Sequence, residues 1–295
     1  MLLFDIVIPT YNNLEELQLC LKSFENQTIT DFSVWVTVDG SKDGTVEYLS
    51  GAKFGYPLRF LEHADKKNHG RGAALNLSLP HLSAKYLILL DSDFTVKSDF
   101  LEKHLLALKD QNQISLGRIL YEKGNIWRDY DQTRGMNRFK IDYSELPFRY
   151  MVTSNTAMPI EVFLGVNGFD ENIKTYGGED TELACNIWQK FRLKTIYNKN
   201  AVAYGLMDKP LEFALQQREQ FASQNLKYLL QKYPWATELF KMNIVRSLRG
   251  KLLYRIIPAR LLMSLSQKEK IPVTLRVKLV HLLVFYHLYK GYYTD

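Results

Sequence analysis

The residues 86–90 form an unbroken apolar run that ends in two carboxylates, Asp91 and Asp93. Such a run is typical of a fully buried strand, and ligands of open α/β sheets collect at the carboxyl ends of these strands. Because alternate residues of a strand point to the same side, we expect both carboxylates to face one site. Mg²⁺ and Mn²⁺ prefer oxygen ligands, so the pair indicates metal chemistry; a solvated Asp-Ser-Asp turn is the alternative.

Three further polar clusters follow predicted strands in the first quarter of the chain. Pro9, Thr10 and Tyr11 end the first strand, and the tyrosine could stack on a base. Asp39 ends the second strand just before a helix, where a carboxylate can accept a hydrogen bond from a base and helix amides favour an anion. Arg71, bracketed by glycines, is placed to meet a base or a phosphate. Together the clusters predict a nucleotide site at one sheet edge.

The elements that must position these residues alternate between strand and helix patterns through the first ninety residues. This order predicts a parallel sheet with right-handed crossovers. The predicted strands are 4–9, 32–39, 58–62, 86–90, 114–121, 150–158 and 194–204. The predicted helices are 14–26, 45–52, 72–79, 98–110 with Ser98 as N-cap, 179–191, and the whole region after Pro210, with breaks near Pro234, Gly250, Pro258 and Pro272.

Two segments between these elements lack a clear period. Residues 123–146 are polar, aromatic and charged, which predicts a long functional loop. Residues 165–178 are predicted to be a glycine-rich connection. Neither a dinucleotide-type glycine fingerprint nor a P-loop sequence is present, which argues against the protein classes that use them.

Composition points to a globular protein in a reducing compartment. Apolar residues make up 46% of the 295 residues and charged residues 24%, which are ordinary values. The two cysteines, Cys20 and Cys185, lie in helical patterns and predict no disulfide framework. We find no signal peptide and no apolar run of membrane-spanning length. The expected location is therefore the cytoplasm, with peripheral attachment to the inner face of a membrane left open.

The positive charge is concentrated near the carboxyl terminus. Thirteen lysines and arginines between 227 and 290 face only two acidic residues, Glu238 and Glu269. Helices that combine such charge with apolar runs suit the headgroup boundary of an anionic membrane. The alternatives are a helical subdomain that packs on the sheet and a homodimer interface. No nucleic-acid-binding motif is recognisable, so a nucleic acid is not an expected partner.

The ordered motifs resemble those of the family 2 glycosyltransferases of the GT-A fold, which use nucleotide-diphosphate sugars. The resemblance covers about residues 4–204. Its marks are 8–12, 38–45, 68–76, 91–93 and the run Gly177-Gly178-Glu179-Asp180, which is also similar to galactosyl- and N-acetylgalactosaminyl-transferring members. It implies a Rossmann-like, mostly parallel central sheet flanked by helices, with an α-helical C-terminal extension. The implied domains are a catalytic domain, 1–208, with a nucleotide-sugar half, 1–95, and an acceptor half, 96–208, followed by a basic helical region, 209–295.

The resemblance also implies roles on the donor side. Tyr11 and Asp39 would hold the uracil, and Arg71 would close over the base. Asp91 would contact the ribose or the metal, and Asp93 would bind the Mn²⁺ or Mg²⁺ that bridges the diphosphate. The remaining residues expected to line the nucleotide-sugar site are Pro9, Thr10 and Ser92.

On the acceptor side, the resemblance makes Asp180 the catalytic base, with its neighbour Glu179 as the second carboxylate. The helix start would favour the ionised form of Asp180, while repulsion from Glu179 would oppose it; simple N-terminal capping is the alternative. Asp208 could supply the third metal ligand that many relatives take from a histidine, or it could cap the next helix. The residues expected to contact the acceptor are Asn155, Gly177, Gly178, Glu179 and those of the 123–146 loop, together with Ser154.

The function that follows is an inverting, metal-dependent transfer of a hexose from a UDP-sugar to a hydroxyl of a glycan, lipid-linked or small-molecule acceptor. The Gly-Gly-Glu-Asp run favours galactose or N-acetylgalactosamine as the sugar. One alternative is a catalytically inactive relative that binds nucleotide sugars or acts as a scaffold. Another is a nucleotide-binding regulatory protein. Because both acidic motifs are intact, the sequence favours an enzyme.

Overall fold

The computed structural model describes residues 2–108, 113–121, 124–134, 139, 141–238 and 242–293. The chain divides into two compact units. The first unit comprises Met1–Glu122, Phe139–Lys174 and Glu179–Met207. The second unit comprises Lys123–Arg138, Thr175–Gly178 and Asp208–Asp295. The predicted domain limits stay a prediction, and the second unit takes in short stretches from the predicted acceptor half.

A nine-stranded sheet organises the described part of the first unit. Its strands are β1 (Phe4–Thr10), β2 (Phe32–Val38), β3 (Leu58–Glu62), β4 (Tyr86–Leu90), β5 (Phe94–Val96), β6 (Gln113–Leu120), β7 (Ser144–Leu146), β8 (Asn155–Pro159) and β9 (Lys194–Gly205). Along the sheet they run β3-β2-β1-β4-β8-β6-β9-β5, and β7 pairs with β9. The first four strands are parallel, as predicted. Beyond them the sheet is mixed, because β8 is antiparallel to both of its neighbours.

The helices lie between and after these strands. They are α1 (Leu14–Lys22), α2 (Thr45–Gly51), α3 (Arg71–Asn76), α4 (Phe100–Ala107), α5 (Ile126–Arg134), α6 (Ile160–Gly165), α7 (Glu179–Phe191), α8 (Leu211–Ser223), α9 (Asn225–Lys232), α10 (Met242–Arg246), α11 (Leu248–Ile256), α12 (Ala259–Ser266) and α13 (Val273–Tyr293). Of these, α5 and α8 to α13 belong to the second unit. The helical character predicted after Pro210 is confirmed for the described residues.

Two sequence predictions about local structure were wrong. The 123–146 segment is not one loop, since it contains α5 and β7; residues 123, 135–138 and 140 of it lie outside the described residues. Ser98 does not cap α4, because that helix begins at Phe100 with Asp99 in the cap position. The helix break predicted near Gly250 is present at Ser247, between α10 and α11, while Gly250 itself lies inside α11.

The core of the first unit forms where β1 meets its helices. All seven residues of β1 are buried, as a central strand requires. Alternate residues Phe4, Ile6 and Ile8 belong to one apolar cluster with Leu17 and Leu21 of α1. The buried β1 therefore fixes where the strand ends carrying the predicted nucleotide motifs come together.

A buried polar network joins α4, β6 and β8 on the other side of β4. The two ring nitrogens of His104 each lie 2.9 Å from a partner oxygen, Ser115 Oγ and Asn155 Oδ1. The Asn155 amide donates to the carbonyl oxygens of Arg118 and Ala201, both at 3.0 Å. Burial lowers the pKa of His104 to about 4, so the imidazole is neutral at physiological pH.

The second unit has an apolar core of its own, shared by α5, α8, α12 and α13. Trp127, Leu215 and Leu283 are among its buried members. Glu219 of α8 ties this unit further, because its carboxylate lies 2.8 Å from His287 Nδ1 and 2.7 Å from Lys290 Nζ of α13. Among the helices of the described ranges, none combines the length and the apolar character needed to cross a bilayer.

Candidate functional site

Arg71 lies at the centre of three carboxylates in the first unit. Its Nε and Nη2 donate to Asp91 Oδ1 at 3.1 and 2.5 Å. Its Nη1 donates to Asp180 Oδ1 at 3.3 Å and lies 3.9 Å from Glu179 Oε1. The Arg71 and Asp180 side chains are each 25% exposed and that of Asp91 is 29% exposed, so solvent reaches the cluster. One guanidinium thus joins predicted donor residues to the predicted catalytic pair.

Backbone geometry aims these groups at one another. Arg71 is the first residue of α3 and follows Gly70, whose φ of +94° favours glycine. Glu179 and Asp180 open α7, a position where the helix dipole favours carboxylates. Arg71 therefore approaches Glu179 and Asp180 because the turn at Gly70 places it at the start of α3 and because the two carboxylates open α7.

Thr153 completes the cluster, and sequence reasoning missed it. Its hydroxyl accepts a hydrogen bond from Arg71 Nη1 at 2.8 Å and donates one to Asp180 Oδ1. The side chain is fully buried. Thr153 lies directly before the Ser154-Asn155 pair that we singled out, so a polar interruption of the apolar segment was the available signal.

Two ionisation states follow from this packing. Burial raises the pKa of Glu179 to about 7, and repulsion from Asp180 adds to this effect, while Arg71 opposes it. The Glu179 side chain is 14% exposed, and its Oε2 has no hydrogen-bond partner among the described residues. Burial alone would lower the pKa of Arg71, but the carboxylates of Asp91, Asp180 and Glu179 outweigh it and hold that pKa above its usual range. A carboxyl that titrates near neutral pH suits acid–base catalysis.

Asp39 holds the loop that leads to Arg71. Its carboxylate oxygens accept hydrogen bonds from the backbone amides of His69 at 2.8 Å and Gly70 at 3.1 Å. The next residue, Gly40, has a φ of +74°, and a Cβ there would lie 2.6 Å from the carbonyl carbon of Lys67. The Asp-Gly step thus brings the end of β2 into direct contact with the 67–70 loop. The predicted role of Asp39 in holding uracil stays a prediction.

The ends of β1 and β4 are also linked. Thr10 Oγ1 donates to Asn13 Oδ1 at 2.5 Å, and Asn13 Nδ2 donates to the buried Ser92 Oγ at 2.7 Å. Tyr11, which lies between Thr10 and Asn13 in the sequence, is 52% exposed and presents a ring that could stack on a base. Pro9, Thr10, Tyr11 and Ser92 therefore lie along one edge of the sheet, as predicted.

The acidic pair after β4 lies in a turn. Because β4 ends at Leu90 and β5 begins at Phe94, Asp91 and Asp93 are not strand residues, and strand alternation does not set their directions as we had expected. The Asp93 carbonyl accepts from the Leu206 amide at 2.9 Å, which fixes the turn against β9. Within the described ranges, no group of three or more His, Cys, Asp or Glu could hold a metal ion. Asp91 Oδ1 accepts hydrogen bonds from Arg71, and the role of Asp91 and Asp93 as ligands of a hard cation stays a prediction.

Three of the remaining predicted residues, Gly177, Gly178 and Asp208, belong to the second unit. Gly177 and Gly178 have φ values of +87° and +99°, and the Asn225 amide donates to the Gly177 carbonyl at 2.7 Å. Asp208 Oδ1 lies 3.8 Å from Arg128 Nε. Asp208 therefore has a cationic partner within its own unit, and its role as a metal ligand stays a prediction.

Asn155 takes a position that does not suit an acceptor contact. Its side chain is fully buried, and its amide is engaged by His104 and by two backbone carbonyls of the sheet. This corrects the expectation that Asn155 binds the acceptor, because its amide groups are already hydrogen-bonded to His104 and to the backbone of neighbouring strands. Glu179 is the predicted acceptor residue that the structure does bring into the Arg71 cluster.

A sheet edge of this kind, with the predicted nucleotide motifs on parallel strand ends and a Glu-Asp pair opening a nearby helix, is the arrangement expected of a GT-A glycosyltransferase. The chain belongs to the family described as Glycosyl transferase family 2, whose profile matches residues 5–164. A second profile, described as the N-terminal domain of galactosyltransferase, matches residues 129–204. Both the predicted family and the predicted fold are confirmed.

Individual relatives agree with this assignment. The chain is 23% identical over 245 residues to the uncharacterized glycosyltransferase YfnE of Bacillus subtilis, covering 64% of this chain and 62% of YfnE. The crystal structure of S. aureus TarS 1-349 in complex with UDP-GlcNAc has a TM-score of 0.60 and 15% identity, covering 99% of this chain and 90% of that one. The mannosyltransferase PcManGT from Pyrobaculum calidifontis, in complex with GDP-Man and Mn²⁺, has a TM-score of 0.62 and 17% identity, covering 99% and 88%. At these identities, the two structures show the shared fold.

Proposed function

We propose that this glycosyltransferase moves a hexose from a UDP-sugar to an acceptor hydroxyl, with inversion and with the help of Mn²⁺ or Mg²⁺. The observation that carries the proposal is the Arg71 cluster, in which one hydrogen-bonded network contains Asp91 of the donor motif and Asp180 of the Glu-Asp pair. The galactosyltransferase profile over 129–204 supports galactose or N-acetylgalactosamine as the sugar. The TarS complex with UDP-GlcNAc supports a uridine nucleotide.

Inverting transfer needs a base on the face opposite the leaving group. The acceptor oxygen attacks the anomeric carbon, the bond from that carbon to the diphosphate oxygen breaks, and the acceptor proton passes to the base. Asp180 is the proposed base, since Thr153 and Arg71 fix the direction of its carboxylate. Glu179 is the second candidate, because its pKa of about 7 suits proton transfer at neutral pH.

On the donor side of the site, separate residues are proposed to bind the base, the nucleotide and the cation. Tyr11 would stack on the uracil and Asp39 would accept a hydrogen bond from it, while Arg71 would close over the nucleotide. Asp93 and Asp91 would hold the divalent cation. When bound, the cation offsets the negative charge of the departing diphosphate. The Mn²⁺ in the PcManGT complex supports the use of such an ion.

A donor panel tests the proposal and its main alternative together. The protein is incubated with UDP-galactose, UDP-N-acetylgalactosamine, UDP-glucose, UDP-N-acetylglucosamine and GDP-mannose, with and without Mn²⁺, and released nucleotide diphosphate is measured. Metal-dependent release from a UDP-sugar, strongest with a galactose-type donor, supports the proposal. Glucose transfer without galactose transfer would overturn the sugar preference.

Binding must be measured beside release, because an inactive relative would also bind. Calorimetric binding of UDP-sugars without any release, unchanged in Asp180→Asn, would favour the nucleotide-sugar-binding alternative. Binding to none of the nucleotide sugars would reject the proposed function outright. Mass analysis of products formed from glycan, lipid-linked and small-molecule acceptors would then identify the acceptor class.

A further inference from the structure

One face of α11 exposes a row of aliphatic side chains. Leu248 is 80% exposed, Leu252 is 62% exposed and Ile256 is 73% exposed. Their spacing of four residues places them one above another along the same helix face. Exposed apolar side chains in a row, unlike single ones, mark an interaction surface.

The packing of α11 on α10 fixes this face outward. Gly250 is buried, and a Cβ at that position would lie 2.1 Å from the Ile244 carbonyl oxygen. The two backbones therefore approach at Gly250 as closely as glycine allows, which sets the face that α11 turns toward α10. The aliphatic row consequently points away from the unit to which α11 belongs.

Positive charge surrounds the row. A cavity of about 520 Å³ next to it is lined by Arg246, Lys251, Arg255 and Lys290, together with tyrosines that include Tyr254. Lys290 is paired with Glu219 and Arg246 donates to the Tyr292 hydroxyl at 2.9 Å, so Lys251 and Arg255 are the cations best placed for a ligand. The sequence from 239 to 268 contains seven lysines and arginines and no acidic residue.

We propose that α11 docks on an anionic lipid bilayer. Leu248, Leu252 and Ile256 enter the boundary between headgroups and acyl chains, and Lys251 and Arg255 bind headgroup phosphate. The charge complementarity selects this occupant, because a helix that is aliphatic on one face and basic beside it matches an acidic membrane surface. The inference goes beyond glycosyl transfer and does not rest on it, since vesicle binding is measured without donor or acceptor.

The test is cosedimentation of the full chain with vesicles. One set contains phosphatidylcholine alone and the other contains phosphatidylcholine with about one third phosphatidylglycerol. We expect binding to the anionic vesicles that weakens in high salt, and little binding to the neutral ones. Each cation near such a surface strengthens partitioning roughly fivefold, so Lys251→Glu with Arg255→Glu should weaken it by about 25-fold or more. Leu252→Ser should weaken it roughly fivefold.

Matched variants in the first unit separate docking by α11 from a general effect of net charge or surface hydrophobicity on vesicle binding. Lys22→Glu with Lys53→Glu makes the same change in net charge at exposed positions, and Leu19→Ser alters a leucine that is 51% exposed. These variants should bind like the parent chain, and thermal melts should show that all variants fold. Equal losses from both pairs, or a chain that stays in the supernatant, would overturn the proposal. A Leu252-dependent dimer in sedimentation velocity without vesicle binding would overturn it in favour of a second copy.

Discussion

Glu179→Gln should stabilise the protein in a pH-dependent way. A carboxyl pKa of about 7 in the native state, against 4.5 ordinarily, corresponds to about 3 kcal/mol at 1.4 kcal/mol per unit. Below pH 4.5 both the native and the unfolded chain carry the proton, and the raised pKa has no effect. Between pH 4.5 and 7 the unfolded chain ionises first, so wild-type stability falls as the pH rises. Glutamine keeps the shape of the side chain without this penalty.

Urea unfolding at pH 5, 6.5 and 8 measures the effect. The free energy of unfolding of Glu179→Gln should exceed that of the wild type by roughly 1 kcal/mol at pH 5 and by about 3 kcal/mol at pH 8. Glu269→Gln, which removes an exposed carboxylate from a turn, serves as the control and should shift stability little at any of these pH values. A gain of the same size at pH 5 and pH 8, or a loss at pH 8, would refute the account of Glu179 as a destabilising buried acid.

Other variants test the site and its scaffold. Asp180→Asn should lower kcat by about 10²-fold or more with donor binding nearly intact by calorimetry; wild-type turnover would move the base to Glu179. Asp93→Ala should abolish Mn²⁺-dependent UDP binding, because a carboxylate that holds the cation is lost and the cation is what offsets the diphosphate charge; unchanged titrations would remove Asp93 from the metal site. Gly40→Ala should lower the free energy of unfolding by about 2 kcal/mol, since its φ is +74° and its new Cβ would meet Lys67; an unchanged urea midpoint would contradict that clash.

The first half of the sheet, and the position of the predicted donor residues at its strand ends, were predictable because local pattern determines both. The parallel strands β1 to β4 are buried apolar runs separated by amphipathic helices, and their ends carry polar residues that could only meet at one edge. The start of α7 at Glu179 follows from a glycine pair followed by acidic residues. For these elements the hydrophobic periodicity and the turn residues predict the same secondary structure, and tertiary packing does not change it.

The second half of the sheet and the remaining site contacts depend on residues that are distant in the sequence. Nothing local shows that β8 is antiparallel to β4, that residues 126–134 form a helix, or that β5 pairs with β9. Thr153 and Asn155 are two residues apart, yet one binds Asp180 and the other lies inside the sheet. The direction of β8 in the sheet decides which of the two residues contacts Asp180, and a single sequence does not reveal that direction.

The close approach of Asn155 to Gly117 has a consequence for the register of β8 in the sheet. A Cβ at residue 117 would lie 2.3 Å from the Asn155 amide nitrogen, so the amide fits opposite glycine. A slip of β8 by two residues would keep every side chain on its own face, and the apolar pattern alone would allow it. The slipped strand, however, would leave His104 and two backbone carbonyls without partners, at about 1–3 kcal/mol each. This polar network therefore favours the observed register of β8 over the slipped one, which the apolar pattern alone does not do.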